Sequence, residues 1–492
     1  MSDPMRSSSR AATEAAAQST SASRTAQESR AEEASRYSPE ERQLLNPGYR
    51  ALFIGSMFVI CCFNFADRAV FSVLAQSIKL EFKLTDLEIG IVGSLGFAAL
   101  YALLGIPFGR LAERVHRLRM IAVVTAIWSA MTALCGVAQN FWHLLFARFG
   151  VGLGEAGFLS PTGSLVADHF PAKRRASMMS LVMLGTPVGT FLGALIAGWA
   201  TGHWGWRAAF FVLGVPGLIV AVFVWFVLRE PTRGLSDNAP KSPAPPPDFG
   251  AAFQQLFARP ALGFVIIGGG LAGFGMTSVS NWLAVFLARV HALPPREAGA
   301  LFGTISGLSI GIGLLIGSFT SDWLAQRDKR WSAWIAALGL LVAPFIYYFA
   351  LRIEGRAPAA VMLTASAAVL LLFYGPTLGM IQNLLEPKMR ATGVALFSTL
   401  YTICGGLGPF FVGFLSDRFA QASFGARVFT QTCPGGAAPA GSPADLVTAC
   451  AGASARGIQE ALTVGVCVFF IAAVMYLLAA RTLRRDLFVA PS

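Results

Sequence analysis

Residues 141–169 read FWHLLFARFGVGLGEAGFLSPTGSLVADH, a stretch long and apolar enough to cross a bilayer that nevertheless carries Arg148 and Glu155 well inside it. A charge near the bilayer centre costs roughly 2.5–3.5 kcal/mol even on the milder insertion scale, so both groups require partners or a hydrated cavity. Seven positions along a helix is about two turns, which sends both side chains from one face with an offset of roughly 10 Å. An intramembrane Arg and Glu sharing a face mark a functional site, and another element must face them.

The surrounding chain agrees with a membrane setting. Of its 492 residues 55% are hydrophobic and only 13% charged, against about 25% charged in a soluble domain. Apolar segments of about 20–28 residues suit a hydrocarbon layer roughly 30 Å thick. Twelve are counted, at about 51–78, 87–109, 119–138, 141–168, 175–201, 207–228, 261–288, 298–324, 332–351, 358–384, 391–418 and 457–480. The expected class is an all-α, multi-pass membrane protein, a helical bundle rather than a barrel.

The net charge of +12 does not call for a nucleic-acid partner, because the basic residues cluster in short loops between spans. Arg110, Arg114, Arg117 and Arg119, then Lys173, Arg174 and Arg175, then Arg327, Lys329 and Arg330, then Lys388 and Arg390, fall on one side if twelve spans alternate. By the positive-inside rule that side is cytoplasmic and holds both termini, as in a bacterial inner membrane or its equivalent.

Residues 1–36 are rich in Ser, Ala, Arg and Glu without periodicity, which predicts a disordered cytoplasmic tail rather than a signal peptide or packed element. SPEERQLLNPGYR from Ser38 reads as a short surface helix, with Ser38 as cap and Glu41 closing a capping box. These two pieces fill residues 1–50. A first six-span unit is expected over 51–229 and a second over 259–485, with a non-cytoplasmic loop at 421–456. Between the units, 230–258 centre on APKSPAPPPD, the composition of an extended linker.

The halves echo one another. GRLAERVHR follows the second span from Gly109, and SDWLAQRDKR follows the eighth from Ser321. Two pseudo-symmetric six-helix bundles imply a transporter with its site at their interface near midplane. GRLAERVHR resembles the loop signature of the major facilitator superfamily, with Glu113 in place of its usual Asp and His116 in place of its second Gly. The resemblance covers nearly all of residues 50–485 and implies the major facilitator fold. Within it, FNFADRAVFSVL from Phe63 and RFGVGLGEAGFLSPTGSLVADHFP from Arg148 resemble the Spinster family. That implies transport of lysophospholipid or sphingoid-type lipids, proton-coupled in some members. The same strings are also similar to anion:cation symporters of sugar acids, so a small organic anion is the alternative substrate.

The charges fit such a machine. Asp67, past the middle of the first span, and Arg148, in the outer half of the fourth, have comparable depths, and the implied fold sets these helices face to face. Glu155 then sits deeper. Two carboxylates around one Arg suit proton coupling, with Arg148 neutralising one acid at a time; a static bridge pinning two helices is the competing reading. Arg68 either binds an anionic headgroup together with Arg148 or snorkels to an interface. Asn64 in the first span, and Thr277, Asn281, Tyr374, Thr377, Asn383 and Tyr401 in the second half, are expected to line the cavity. That half carries almost no charge inside its spans, so an amphipathic guest would place its headgroup at Arg148 and its tail on the other wall.

Glu113, Arg114, Arg117, Asp322 and Arg327 are expected to form a cytoplasmic gate. Cys433 and Cys450 share the long outer loop, where oxidation is permitted, and are expected to pair. Gly185, Gly189 and Gly193 recur every fourth residue, the spacing that lets one helix approach another closely. GLGEAG from Gly152 matches a dinucleotide-binding pattern, but no strand precedes it. GLSIG from Gly307 matches a nucleophile elbow, but no mid-span His could activate Ser309. No enzyme activity, cofactor or metal is expected. The expected partners are the bilayer, protons and the lipid, and one polypeptide supplies both halves, so a monomer suffices.

Overall fold

A computed structural model describes residues 38–236, 259–385, 389–425 and 427–487. The expected disordered tail, the Pro-rich centre of the linker and residues 386–388 lie outside the described residues. Ser38 caps the surface helix Pro39–Leu45 with the reciprocal Glu41 box in place. Asn46 caps the next helix, Pro47–Phe82, which is the first span and ends at Lys83 in the left-handed conformation.

Eleven helices among the described residues are long and apolar enough to cross a membrane. The twelfth span is the stretch with which the sequence reading began. It is divided into Phe141–Glu155 and Leu159–His169, of 15 and 11 residues, each too short to cross alone. The break follows directly on Glu155, with Gly157 inside it and Pro161 in the first turn beyond, residues that weaken helix continuity. Counted as one bent span, it brings the architecture to twelve helices in two sixes. The remaining spans of the first half are residues 86–114, Arg117–Cys135, 172–204 and Trp206–Val227; those of the second are Pro260–Val290, Pro295–Ala325, Trp331–Ala350, 356–384, Arg390–Phe424 and 444–486.

Small residues decide how closely the spans approach. Gly185, Gly189 and Gly193 of the fifth span lie against Cys61, Cys62 and Ala66 of the first, so closely that β-carbons there would collide with its backbone. The GLGEAG string has a similar task. Gly152 lies against the carbonyl of Phe97 in the second span, and Gly154 against Trp128 in the third. The pattern that imitates a nucleotide site is therefore a packing surface clamping the fourth span between two others.

Two boundaries differ from expectation. The loop placed at 421–456 is shorter, because the eleventh span runs to Phe424 and the last helix begins at Ala444. Hydropathy misses its first turns because they carry Asp445, Thr448 and several small residues. Cys433 of the loop and Cys450 of the last helix form a disulfide with Cα atoms 5.8 Å apart. The beginning of the linker is docked rather than free: the Thr232 hydroxyl donates to Glu41 and the Gly234 amide to Asp168.

The halves meet where the second span packs on the eleventh, the fifth on the eighth and the first on the seventh. One end of the bundle carries the surface helix and the basic loops. The other, here the distal end, is shut by a buried cluster. Asp86, first residue of the second span, accepts from Lys79 at 2.6 Å, from both terminal nitrogens of Arg289 at 2.8 and 2.6 Å, and from Ser416 at 2.7 Å. Asp417 of the eleventh span accepts from the backbone amides of Asp86 and Leu87 at 3.0 and 2.9 Å. A carboxylate of one half thus caps a helix of the other, satisfying amides that a helix N-terminus leaves bare.

Candidate functional site

Four charges lie inside the first half as two separate pairs. Arg148 donates from Nη1 to Asp67 Oδ2 at 3.1 Å, with side chains only 2% and 4% exposed. The other Asp67 oxygen accepts from the Thr132 hydroxyl of the third span at 2.6 Å. Arg68 donates from Nε and Nη2 to Glu155 Oε2 at 2.8 and 2.7 Å. Here the exposures differ: Glu155 is fully enclosed, whereas Arg68 is 34% exposed, the one member of the four that is not buried. Glu155 Oε1 and Arg148 Nε are buried without a partner.

This differs from the expected single Arg shared by two acids. Arg68 neither snorkels nor stands alone; it turns inward and holds Glu155, because consecutive positions on the first span point about 100° apart and both directions meet the fourth span's charges. Aromatic rings complete the cradle. The Arg68 guanidinium lies over Phe65, Phe97 and Tyr101 at 5.1, 4.7 and 5.2 Å, and that of Arg148 over Phe71 and Phe97 at 5.0 and 5.7 Å. These rings, Thr132 and the distal cluster escaped the sequence reading. Phe and Thr are ordinary constituents of apolar helices, and Asp86 and Arg289 read as residues at span ends.

The opposite wall is uncharged. Tyr374 and Tyr401 pack 6.0 Å apart. Thr277 donates to the Gly405 carbonyl, tying the seventh span to the eleventh, and Asn281 donates to the Thr277 carbonyl. Asn64 is buried one turn before Arg68. Thr377 does not line the cavity. It is fully buried and bonded to the Tyr476 hydroxyl and the Phe373 carbonyl, since its position on the tenth span faces the twelfth. Asn383 is exposed near the basic end of that helix.

The expected gate residues divide. Glu113, Arg114, Asp322 and Arg327 are exposed at the basic end, with Arg327 stacked on Trp323 at 4.9 Å. Arg117 is instead buried within its own half, bonded to Asp168 at 2.5 Å, Glu230 at 2.6 Å and Ser164 at 2.7 Å. The loop's last Arg therefore staples the linker to the first half rather than latching one half to the other.

The family model described as Major Facilitator Superfamily matches residues 57–409. The chain belongs to that superfamily. It is Spinster-like: a solved structure of a bacterial homologue of the human lysosomal transporter Spinster, inward-facing and unoccupied, is 30% identical, superposes with a TM-score of 0.83, and is matched over 91% of this chain and 100% of its own. An MFS-type efflux pump of Mycolicibacterium smegmatis is 30% identical over 368 residues, 75% of this chain and 85% of that protein. The sphingosine-1-phosphate transporter SPNS2 of Danio rerio is 24% identical over 378 residues, 73% of this chain and 74% of that protein. The protein is a multi-pass membrane transporter.

Proposed function

We propose that this transporter is proton-coupled and moves an amphipathic lipid with an anionic headgroup, lysophospholipid or sphingoid in type, by alternating access. The observation that carries the reading is the asymmetry of the two ion pairs: Asp67–Arg148 is sealed, whereas Arg68–Glu155 has its cation one-third exposed. Removing one partner from a buried pair costs about 3–5 kcal/mol because the other charge is left bare. A proton on Glu155 therefore frees Arg68 for another anion, and an anionic headgroup at Arg68 frees Glu155 for a proton. Proton and anion favour each other's binding, and the coupling is reciprocal. The uncharged Tyr374–Tyr401 wall suits an apolar tail, whereas a sugar acid needs polar groups on both sides.

With the basic end cytoplasmic, the sealed distal end is the outer one and the conformation is inward-facing. The high structural similarity to an inward-facing Spinster homologue supports this. One chain supplies both walls, so a monomer is the working unit.

The test is flux in vesicles reconstituted with purified protein. A lysophospholipid or sphingoid phosphate should move saturably, faster under a pH gradient, and copurifying lipids should appear by mass spectrometry. Saturable movement of sugar acids without lipid flux would overturn the lipid reading, and lipid flux indifferent to the gradient would overturn the coupling.

A further inference from the structure

The ring of Phe97 underlies both arginines, with the Arg68 guanidinium 4.7 Å and the Arg148 guanidinium 5.7 Å from its centroid. Its backbone is equally constrained, because the Phe97 carbonyl abuts Gly152, midway between Arg148 and Glu155. One residue of the second span is thereby fixed against the site from two directions.

Phe97 also stands just beyond an irregularity. Ile91–Leu95 form a π turn inside the second span, a distortion that recurs at functional sites in helices. This turn and its flanks contact the other half. Ser94 donates from its hydroxyl to the Gly406 carbonyl at 2.9 Å and to the Gly90 carbonyl at 2.8 Å. Gly90 lies against the Pro409 carbonyl, and Gly406 against Ala98. Five residues before the π turn, the span begins at Asp86, centre of the distal cluster. The second span is a continuous lever from the seal, through the π turn, to the ring beneath the arginines.

We infer that Phe97 is a positioning residue for coupling: its ring holds Arg68 on Glu155 and Arg148 on Asp67, and the π turn moves it when the halves part at the distal end. The groups at its ring are Arg68 of the first span and Arg148 of the fourth, each bonded to its own carboxylate, Glu155 and Asp67, and Tyr101 of its own span, whose ring stacks 5.5 Å away. While the ring is in place each Arg has one carboxylate. Once it withdraws, the cations are free to exchange, so protons enter or leave in step with the conformational change. Phe97 then sets the tightness of coupling rather than affinity for the lipid.

The inference rests on the proton-coupled reading, and the experiment separates the two. Proton and lipid fluxes are measured together in vesicles containing wild type, Phe97→Ala, Phe97→Leu, Phe97→Tyr and Ser94→Ala. Wild type without lipid-dependent proton flux rejects the proton-coupled reading itself. Given coupling in wild type, Phe97→Ala and Phe97→Leu should pass protons without lipid roughly tenfold faster, the scale expected from losing a desolvated cation–π contact. Phe97→Tyr should restore wild-type stoichiometry, and Ser94→Ala should loosen it without touching the charges. A folded Phe97→Leu protein with wild-type proton-to-lipid ratio overturns the inference. Should Phe97→Ala not fold, Phe97→Leu and Ser94→Ala still decide, since reduced lipid flux at unchanged stoichiometry is what a merely structural residue would give.

Discussion

The two buried charge clusters of this protein use the same chemistry for different ends. The midplane site keeps both ion pairs within one half, so no rigid-body movement of the halves breaks them. The distal cluster joins Lys79, Gln76 and Asp86 of one half to Arg289, Ser416 and Asp417 of the other. Its bonds between the halves can form only while that end is closed. A pair inside a rigid unit is opened by a proton or a competing ion, and a pair across units is opened by motion. Coupling requires both kinds, and the second span touches each of them.

The contrast can be broken most severely at Asp67. Asp67→Asn leaves Arg148 buried beside a neutral amide in every conformation, so about 3–5 kcal/mol should be lost from the fold itself. Thermal unfolding in detergent and absence of flux would show it, whereas wild-type stability would mean that Arg148 finds another anion. Asp86→Ala should act on one state alone. The closed distal end loses the acceptor for two cations, at least about 3 kcal/mol, while the opened end keeps these groups in water. Labelling of a distal cysteine or spin-label distances should register a shift of about a hundredfold toward outward opening. An unchanged distribution would deny the cluster its role as a seal.

Glu155→Gln imitates the protonated acid, so anionic lipid should bind as it does at low pH, and the pH dependence of binding should flatten. Scintillation or fluorescence binding from pH 5 to 8 measures this, and a retained slope would move proton sensing elsewhere. The smallest effect belongs to Thr132→Ala, which removes one hydrogen bond to a charged acceptor and should cost about 1.5–3 kcal/mol at most. It should shift the pH midpoint of transport without changing its slope; a lost slope would place Thr132 in the proton coupling itself.

Particular residues show how far the chain could be read before folding. Arg148 and Glu155 were conspicuous because charge is costly in a bilayer, and the glycine repeat of the fifth span announced a close contact that is present. Thr377 misled because a hydroxyl in a span fits a cavity wall or a helix interface equally well, and only the twelfth span's Tyr476 distinguishes them. Arg117 misled because a loop signature identifies the neighbourhood of a gate without saying which partner the side chain takes. Phe97 is one of 39 phenylalanines, and nothing local sets it apart.

Hydrophobic length, the side on which basic residues gather and the doubled loop were sufficient for the membrane class, the twelve spans and the two halves, since these follow from the cost of charge and bare backbone in hydrocarbon. Which Arg meets which acid followed only from folding. The pairs span 81 and 87 positions of chain, and the choice between them depends on how the first and fourth helices are rotated toward each other. Depth in the bilayer is written along one dimension; facing is not.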